Sequence, residues 1–146
     1  MIKKNKVAII GAGQVGSTTA FTLAVKGLVS ELVIIDINKE KAEGEALDIN
    51  HGMPFLNPAK INAGSYEDTK NAEVVIITAG LPRKPGQSRR DLIHSNSRII
   101  KEIISNLNEH AEDPVIVIAT NPVDLMALTA QKVSKQPKTK VFGSGT

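Results

Sequence analysis

The stretch VAIIGAGQVGSTTA (residues 7–20) joins an apolar run to a glycine-rich turn and then to a helical pattern. Its glycines, Gly11, Gly13 and Gly16, have the spacing G-x-G-x-x-G. In such a turn the first glycine permits a tight bend, the second lets the backbone approach a pyrophosphate, and the third allows the helix to pack closely on the strand. The helix N-terminus offers free N–H groups to the anion. The stretch therefore predicts a strand–turn–helix unit that binds a dinucleotide.

An acidic residue at the end of the next apolar run supports this interpretation. Asp36 follows Gly16 by 20 residues, and a carboxylate there can accept two hydrogen bonds from a ribose diol and repel the 2′-phosphate of NADP. A phosphate-transfer loop, G-x-x-x-x-G-K-[ST], requires a lysine where this chain has Ser17. The pattern predicts NAD as the cofactor, and a plain glycine turn with a solvated aspartate is the alternative.

Short apolar runs alternate with helical patterns along the rest of the chain. Four of the runs are continuously apolar, which predicts strands buried on both faces of a parallel sheet. The alternation predicts a Rossmann-type, doubly wound α/β fold with about six strands in the order 3-2-1-4-5-6, which binds ligands at the carboxyl ends of its strands. The runs lie at 7–10, 32–35, 60–63, 74–77, 115–119 and 141–142, and the helical patterns at 14–27, 39–49, 90–109 and 122–134.

Composition argues against several classes of function. The 146 residues, 41% of them hydrophobic and 23% charged, are typical of one globular domain. No apolar run approaches the roughly 18 residues of a membrane span, and no signal-peptide cleavage pattern is present. The net charge is +3, but the aromatic content of 3% does not favour nucleic-acid binding. Zero cysteines exclude thiolate metal sites, and the spacing of His51, His94 and His110 favours no other metal site. We therefore expect a cytoplasmic protein that binds neither membrane nor nucleic acid.

A basic segment, AGLPRKPGQSRRDL (residues 79–92), follows the fourth apolar run. Its prolines and glycine predict a loop, and it has no acid before Asp91. Arginine binds carboxylates with two parallel hydrogen bonds and can polarise a carbonyl oxygen. The basic segment thus predicts a lid over an anionic substrate, and a solvated basic loop is the alternative. Its four basic residues are Arg83, Lys84, Arg89 and Arg90.

The segment ATNPVD (residues 119–124) follows the fifth apolar run. Thr120 and Asn121 precede Pro122, so they can form a turn or cap the next helix. Asn121 can instead offer its amide to a ligand at the strand end. The spacing leaves both interpretations open.

Taken in this order, the glycine turn, Asp36, the basic segment and TNPVD resemble the N-terminal half of the lactate/malate dehydrogenase family, over essentially all 146 residues. The resemblance implies NAD-dependent, reversible oxidation of an L-2-hydroxy acid to its 2-keto acid. It implies that Arg89 polarises the substrate carbonyl and that Asn121 hydrogen-bonds the substrate. The cofactor-binding residues that it implies are Gly11, Gly13, Gln14, Val15, Gly16, Asp36, Thr78, Ala79, Gly80, Asn96 and Asn121.

The resemblance also bears on the choice of substrate. Arg83 matches the family's specificity position, where its malate enzymes have arginine and its lactate enzymes have glutamine. The segments DINHGMPF (48–55) and VFGSGT (141–146) look more like the lactate enzymes. We expect malate and oxaloacetate as the substrate pair, with lactate and pyruvate as the alternative.

The family's catalytic histidine, its partner aspartate and its second arginine match no residue of this chain. We therefore expect residues 1–146 to be the NAD-binding domain of an enzyme of about 310 residues, inactive alone and a homodimer or homotetramer when complete. A methyltransferase or sugar epimerase is a rival, but the extra catalytic residues of those enzymes are not recognisable. A nucleotide-sensing module of about 140 residues is the other rival, and it has no need for Arg89 beside Arg83.

Overall fold

The structure, a computed structural model, describes residues 5–145. They form the strands β1 (Lys6–Ile10), β2 (Glu31–Ile35), β3 (Lys60–Ala63), β4 (Val74–Ile77), β5 (Val115–Ile118) and β6 (Val141–Gly143). The helices are α1 (Gln14–Val25), α2 (Lys39–Gly52), α3 (Arg89–His110) and α4 (Val123–Val133). Three short 3-10 turns, which the apolar pattern did not predict, lie at Met53–Phe55, Tyr66–Thr69 and Lys138–Lys140. No helix of the described residues is long and apolar enough to cross a membrane.

The six strands form one parallel sheet in the order β3-β2-β1-β4-β5-β6, so the predicted fold class and strand order are confirmed. The register pairs Ile10 with both Ile35 and Ile77, and it pairs Ile77 with Ile118. The carboxyl ends of four central strands therefore meet at one edge of the sheet. The strand order reverses between β1 and β4, which is where ligands bind in open parallel sheets.

Two apolar clusters hold the helices on opposite faces of the sheet. Ile9 and Ile34 lie in the cluster under α1 and α2, together with Ala20 and Ala42 from those helices. The cluster under α3 and α4 contains the other side chains of the central strands, with Ile104 and Met126 among its helical members. Burial of these clusters removes most of the apolar surface of the strands from water, which is the main driving force for this layered arrangement.

The expectation that all four continuous apolar runs are buried on both faces is wrong for β4 and β5. Four of the five residues of β1, and four of five in β2, are buried, but buried and half-buried residues alternate along β4 and β5. The reason is that Val74 and Ile76 of β4 pack only in part against the cluster under α1 and α2, and no residue of β5 or β6 belongs to that cluster. Ile76, Val117 and Phe142 are paired in register across these strands, and Phe142 is 45% exposed. We refer to Val117 and Phe142, which lie beyond that cluster, as the open half-face.

Candidate cofactor and substrate site

Four segments meet at the carboxyl edge of the sheet. They are residues 11–13 after β1, Asp36 after β2, residues 78–81 after β4 and residues 119–121 after β5. These are the segments in which the sequence placed most of the candidate site residues. Hydrogen bonds join each of them to a neighbour, so the edge is one connected surface.

The glycine turn has the geometry that its spacing predicts. Gly11 has a φ of +113°, which strains any residue with a side chain, and a Cβ there would lie 2.6 Å from the Ala79 nitrogen. At Gly16 a Cβ would collide with the carbonyl oxygen of Gly11. Gly13 differs, because no heavy atom lies within 4 Å of where its Cβ would be. Glycine is therefore required for packing at two positions, and the third leaves open space beside the turn.

The first turn of α1 is free to receive an acceptor from outside the helix. Its N-cap residue, Gly13, provides no side-chain cap, whereas Asn38 caps α2 and Ser88 caps α3. Gln14 and Val15 are exposed at the start of α1. Because the first N–H groups of a helix have no partner within it, these amides can bind an anion such as a pyrophosphate.

The carboxylate of Asp36 faces the glycine turn. Its Oδ2 accepts a hydrogen bond from the Ala12 nitrogen at 2.6 Å, and its Oδ1 accepts one from the Asn38 nitrogen at 2.8 Å. The side chain is half-buried, and each carboxylate oxygen retains capacity for a further hydrogen bond. Two donors fix its orientation at the end of β2. The open turn, the uncapped helix and this carboxylate together fit a dinucleotide.

Two threonine hydroxyls connect the strand ends across the sheet. Thr78 Oγ1 donates to the carbonyl oxygen of Gly11 at 2.9 Å, and Thr120 Oγ1 donates to the carbonyl oxygen of Ala79 at 2.7 Å. Thr78 and Ala79 are half-buried, and Gly80 is exposed. These bonds hold the predicted cofactor path along residues 78–80 against the glycine turn.

The segment 119–124 resolves one of the alternatives that the sequence left open. The N-cap residue of α4 is Pro122, and it forms no side-chain capping bond. The interpretation of Thr120 or Asn121 as a side-chain cap is therefore wrong, because the Thr120 hydroxyl points to β4 instead. Asn121 is exposed, and its side-chain amide bonds to no other residue in the range 5–145, so it is available to a ligand.

Asn96 is a buried residue of α3 whose side-chain amide bonds to the backbone of two neighbouring segments. It is 1% exposed on α3, and its Oδ1 accepts from the Leu81 nitrogen at 2.8 Å. Its Nδ2 donates to the carbonyl oxygens of Leu81 at 3.3 Å and Asn121 at 2.9 Å. Both amide hydrogens are thus used inside the protein. The cofactor-binding role that the family resemblance implies for Asn96 stays a prediction, and the bonds described here are to the protein backbone.

The basic segment leaves the edge at Leu81 and folds into an exposed turn. Gln87 donates from its nitrogen to the Lys84 carbonyl oxygen at 3.0 Å, and Gly86 has a φ of +78°. Arg83 Nε donates to the Gln87 carbonyl oxygen at 3.0 Å. In this structure the guanidinium of Arg83 is therefore directed at its own loop, where it remains exposed.

The charge of the basic segment is not neutralised within the described part of the chain. Two ion pairs occur in residues 5–145, Lys6 with Glu31 and Lys140 with Asp113, and neither involves the basic segment. The helix that begins at Arg89 has a capping box formed by Ser88 and Asp91, so its start is fixed independently of the arginine side chain. The exposed cations available at this edge are Arg83, Lys84, Arg89 and Arg90.

Two contributors to the site were missed by sequence reasoning. One is the backbone nitrogen of Ala12, which binds Asp36, and the other is the hydroxyl of Thr120. Thr78 and Thr120 each follow a strand closely, and the register pairs those strands. A hydroxyl residue within two positions of the end of each paired strand was a pattern that could have indicated such links. No group of three or more His, Asp or Glu residues within 5–145 is arranged to hold a metal ion.

Comparison with known proteins shows which family of NAD-binding domains this chain matches. A family model described as the lactate/malate dehydrogenase NAD-binding domain matches residues 5–143. The L-lactate dehydrogenase of Priestia megaterium is 51% identical over 144 residues, a match that covers 99% of this chain and 45% of that protein. The chain spans about half the length of the curated relatives it matches, between 44% and 47%.

Solved structures include both a lactate and a malate enzyme with the same fold. A lactate dehydrogenase from a Medee basin deep-sea metagenome library has a TM-score of 0.94 and 41% identity, over 99% of this chain and 46% of that one. The malate dehydrogenase of Archaeoglobus fulgidus, in complex with NADH, has a TM-score of 0.89 and 40% identity, over 94% of this chain and 48% of that one. Because the sequence identities to the lactate and the malate enzyme are nearly equal and both share this fold, neither the identity nor the fold distinguishes the two substrates.

Proposed function

The chain belongs to the lactate/malate dehydrogenase family, and we propose that it is the NAD-binding half of an NAD-dependent L-2-hydroxy acid dehydrogenase. One observation carries the proposal. The open space at Gly13 and the carboxylate of Asp36 lie at the carboxyl edge of the sheet, and an unneutralised basic segment leaves that same edge. A dinucleotide site explains the first feature, and an anionic substrate beside it explains the second.

The cofactor side of the proposal assigns a role to each group at the glycine turn. The N–H groups at Gln14 and Val15 bind the pyrophosphate, and Asp36 accepts hydrogen bonds from the adenosine ribose. Residues 78–80 line the path toward the reacting end. NADH, when bound, would supply the hydride. The protein contributes the groups that orient it.

The substrate side of the proposal rests on three exposed side chains. Arg89 polarises the keto oxygen, and Asn121 donates a hydrogen bond to the same substrate. Arg83 faces the variable end of the substrate once the basic segment closes. Closure removes water from the site, which strengthens each of these electrostatic contacts.

We propose pyruvate and lactate as the substrate pair. The relative with 51% identity is an L-lactate dehydrogenase, and the segments 48–55 and 141–146 also resemble lactate enzymes. The malate assignment that Arg83 suggested receives less support from these similarities. Arg83 is compatible with pyruvate because its guanidinium is exposed and bonded to Gln87, so it need not be buried unpaired.

Malate and oxaloacetate are the second candidate pair, because one specific residue favours them. Oxaloacetate has a second carboxylate that pyruvate lacks, and Arg83 at the specificity position can pair with it. The ratio of kcat/KM for pyruvate to that for oxaloacetate, measured on the full-length enzyme, separates the two candidates.

A second domain is part of the proposal. The family's acid–base residues match nothing in this chain, and the chain spans 44% to 47% of the length of its relatives. The open half-face of Val117 and Phe142 is an apolar surface that further chain can cover. We assign residues 1–146 to the NAD-binding domain. Assembly into dimers or tetramers and a cytoplasmic location stay predictions.

Replacing Asp36 with serine tests the cofactor assignment. A hydrogen bond to a charged group is worth roughly 1.5–3 kcal/mol, so we expect Asp36→Ser to weaken NADH binding by about 10- to 100-fold. NADPH should lose less affinity, because the repulsion of its 2′-phosphate disappears at the same time. The measurement is calorimetric titration of the full-length protein with each cofactor.

Asp48→Ser is the matched control, because Asp48 is exposed on α2. It should leave the binding of both cofactors unchanged. If Asp36→Ser behaves like this control, Asp36 does not bind the ribose and the cofactor assignment is wrong.

A further inference from the structure

We infer that Asn96 is a positioning residue that fixes the spacing between the basic segment and the turn that carries Asn121. The inference rests on the proposed function, since it concerns the two segments assigned to the substrate. It concerns the backbone of those segments, and therefore differs from a direct contact with cofactor or substrate.

The contacts of Asn96 join three separate parts of the chain. Its Oδ1 and one Nδ2 hydrogen bind the nitrogen and carbonyl oxygen of Leu81, where the basic segment leaves the sheet edge. Nδ2 also donates to the carbonyl oxygen of Asn121 at 2.9 Å. Asn96 itself belongs to α3, the helix whose first residue is Arg89. One amide therefore relates the backbone positions of all three elements that carry the proposed substrate-binding side chains.

An asparagine at this place is exceptional for the helix. The buried face of α3 is otherwise apolar, with Leu92 one turn before Asn96 and Ile100 one turn after it. A buried polar group is costly unless its hydrogen bonds are made, and here they are made entirely with backbone groups that no helix or sheet ladder satisfies. The position therefore requires one acceptor and two donors in a single short planar group, which only asparagine supplies at this length.

The packing around the amide leaves little room for either segment to shift. A Cβ at Gly80 would lie 2.5 Å from Thr120 Cγ2 and 3.5 Å from both Asn96 Oδ1 and Nδ2. Gly80 and Thr120 thus fill the space between the two segments that Asn96 connects. The backbone of Leu81 is anchored while its side chain is 50% exposed, which marks the boundary between the fixed root and the exposed part of the basic segment.

The test uses Asn96→Leu, which removes all three bonds, and Asn96→Asp, which retains an acceptor for the Leu81 nitrogen. Misplacement by about 1 Å can cost about 100-fold in rate, so we expect kcat/KM of the full-length enzyme for its 2-keto acid to fall by about 10- to 100-fold in Asn96→Leu. The Kd for NADH should change by less than about twofold, because the glycine turn and Asp36 are untouched. Asn96→Asp remains informative if the leucine variant fails to fold.

Asn108→Leu is the matched control on the same helix. Its amide also accepts from a backbone nitrogen, that of Lys135 at 2.9 Å, and donates to a carbonyl oxygen, that of Val133 at 3.0 Å. It lies toward the C-terminal end of α3, away from the carboxyl edge of the sheet. Asn108→Leu should lower thermal stability as Asn96→Leu does, without lowering kcat/KM.

Two further measurements distinguish a positioning role of Asn96 from a general loss of protein stability. Hydrogen exchange should quicken in residues 79–83 and 119–124 of Asn96→Leu, and less in 79–83 of Asn96→Asp, because the Leu81 nitrogen keeps its acceptor there. In an Arg89→Gln background, Asn96→Leu should cost less activity than it does alone, because the two act through the same substrate contact.

Equal loss of kcat/KM in Asn108→Leu, unchanged exchange in residues 79–83 of Asn96→Leu, or a loss of NADH affinity as large as the loss of kcat/KM would each overturn the inference. Absence of turnover in the unmodified protein would overturn the proposed function instead. The exchange measurement needs no turnover, so it still decides whether Asn96 fixes the two segments.

Discussion

Arg89→Gln should lower kcat of the full-length enzyme for its 2-keto acid by about 100- to 1000-fold, the cost of removing one preorganised donor from a developing oxyanion. Arg89 is the first residue of α3, and its side chain is exposed. Its loss removes the group that would stabilise negative charge on the keto oxygen in the transition state. Because the Ser88 and Asp91 capping box holds the helix start without Arg89, the fold should be retained. Steady-state kinetics and NADH titration measure the two effects separately.

Arg90→Gln provides the control for this prediction. Arg90 is the next residue, also exposed, and its removal changes the net charge by the same amount. It should leave kcat within about threefold of the unmodified enzyme, as most surface substitutions do little. A large loss of NADH affinity in Arg89→Gln, with kcat preserved at saturation, would move Arg89 from the substrate to the cofactor site.

Arg83→Gln should raise the ratio of kcat/KM for pyruvate to that for oxaloacetate by about 100-fold. A charge-assisted bond from Arg83 to the second carboxylate is worth roughly 1.5–3 kcal/mol in a closed site, and leaving that carboxylate unpaired costs more. Most of the change should therefore come from oxaloacetate. Pyruvate offers Arg83 no partner, and the arginine can stay on the Gln87 carbonyl oxygen while pyruvate binds.

The neighbouring cation again supplies the control. Lys84 lies in the same exposed turn, and Lys84→Gln removes one positive charge from the residue next to Arg83. If the two variants change the substrate ratio equally, the effect is a general field of the basic segment, and Arg83 has no special contact. If neither changes it, the specificity position lies elsewhere.

The parts of the site that were predictable from sequence are those whose chemistry is local. Residues 7–20 contain the strand, the turn and the helix start within one stretch, and Gly11 and Gly16 have the steric roles that their spacing already implies. Asp36 was predictable because it ends the next apolar run. The alternation of runs and helical patterns then left few topologies to consider, which is why the strand order could be predicted.

The parts that were not predictable depend on contacts between distant residues. Asn96 is separated by 15 residues from Leu81 and by 25 from Asn121, and nothing near it in sequence indicates a buried amide. Thr120 likewise bonds 41 residues away, to Ala79. The half-buried face of β4 and β5 has the same origin, because an apolar run does not reveal which helices cover it. Local sequence patterns predicted the helices and strands. The contacts between distant residues became visible only in the folded structure.

Reduction of pyruvate and oxaloacetate by the full-length protein, measured side by side with NADH and with NADPH, tests the central claim most directly. We expect turnover with NADH, a higher kcat/KM for pyruvate than for oxaloacetate, and far weaker use of NADPH because Asp36 repels its 2′-phosphate. A preference for oxaloacetate would select the malate candidate and retain the dehydrogenase. Binding of NADH without reduction of either acid would contradict the proposed activity, and it would favour a nucleotide-sensing role for this domain.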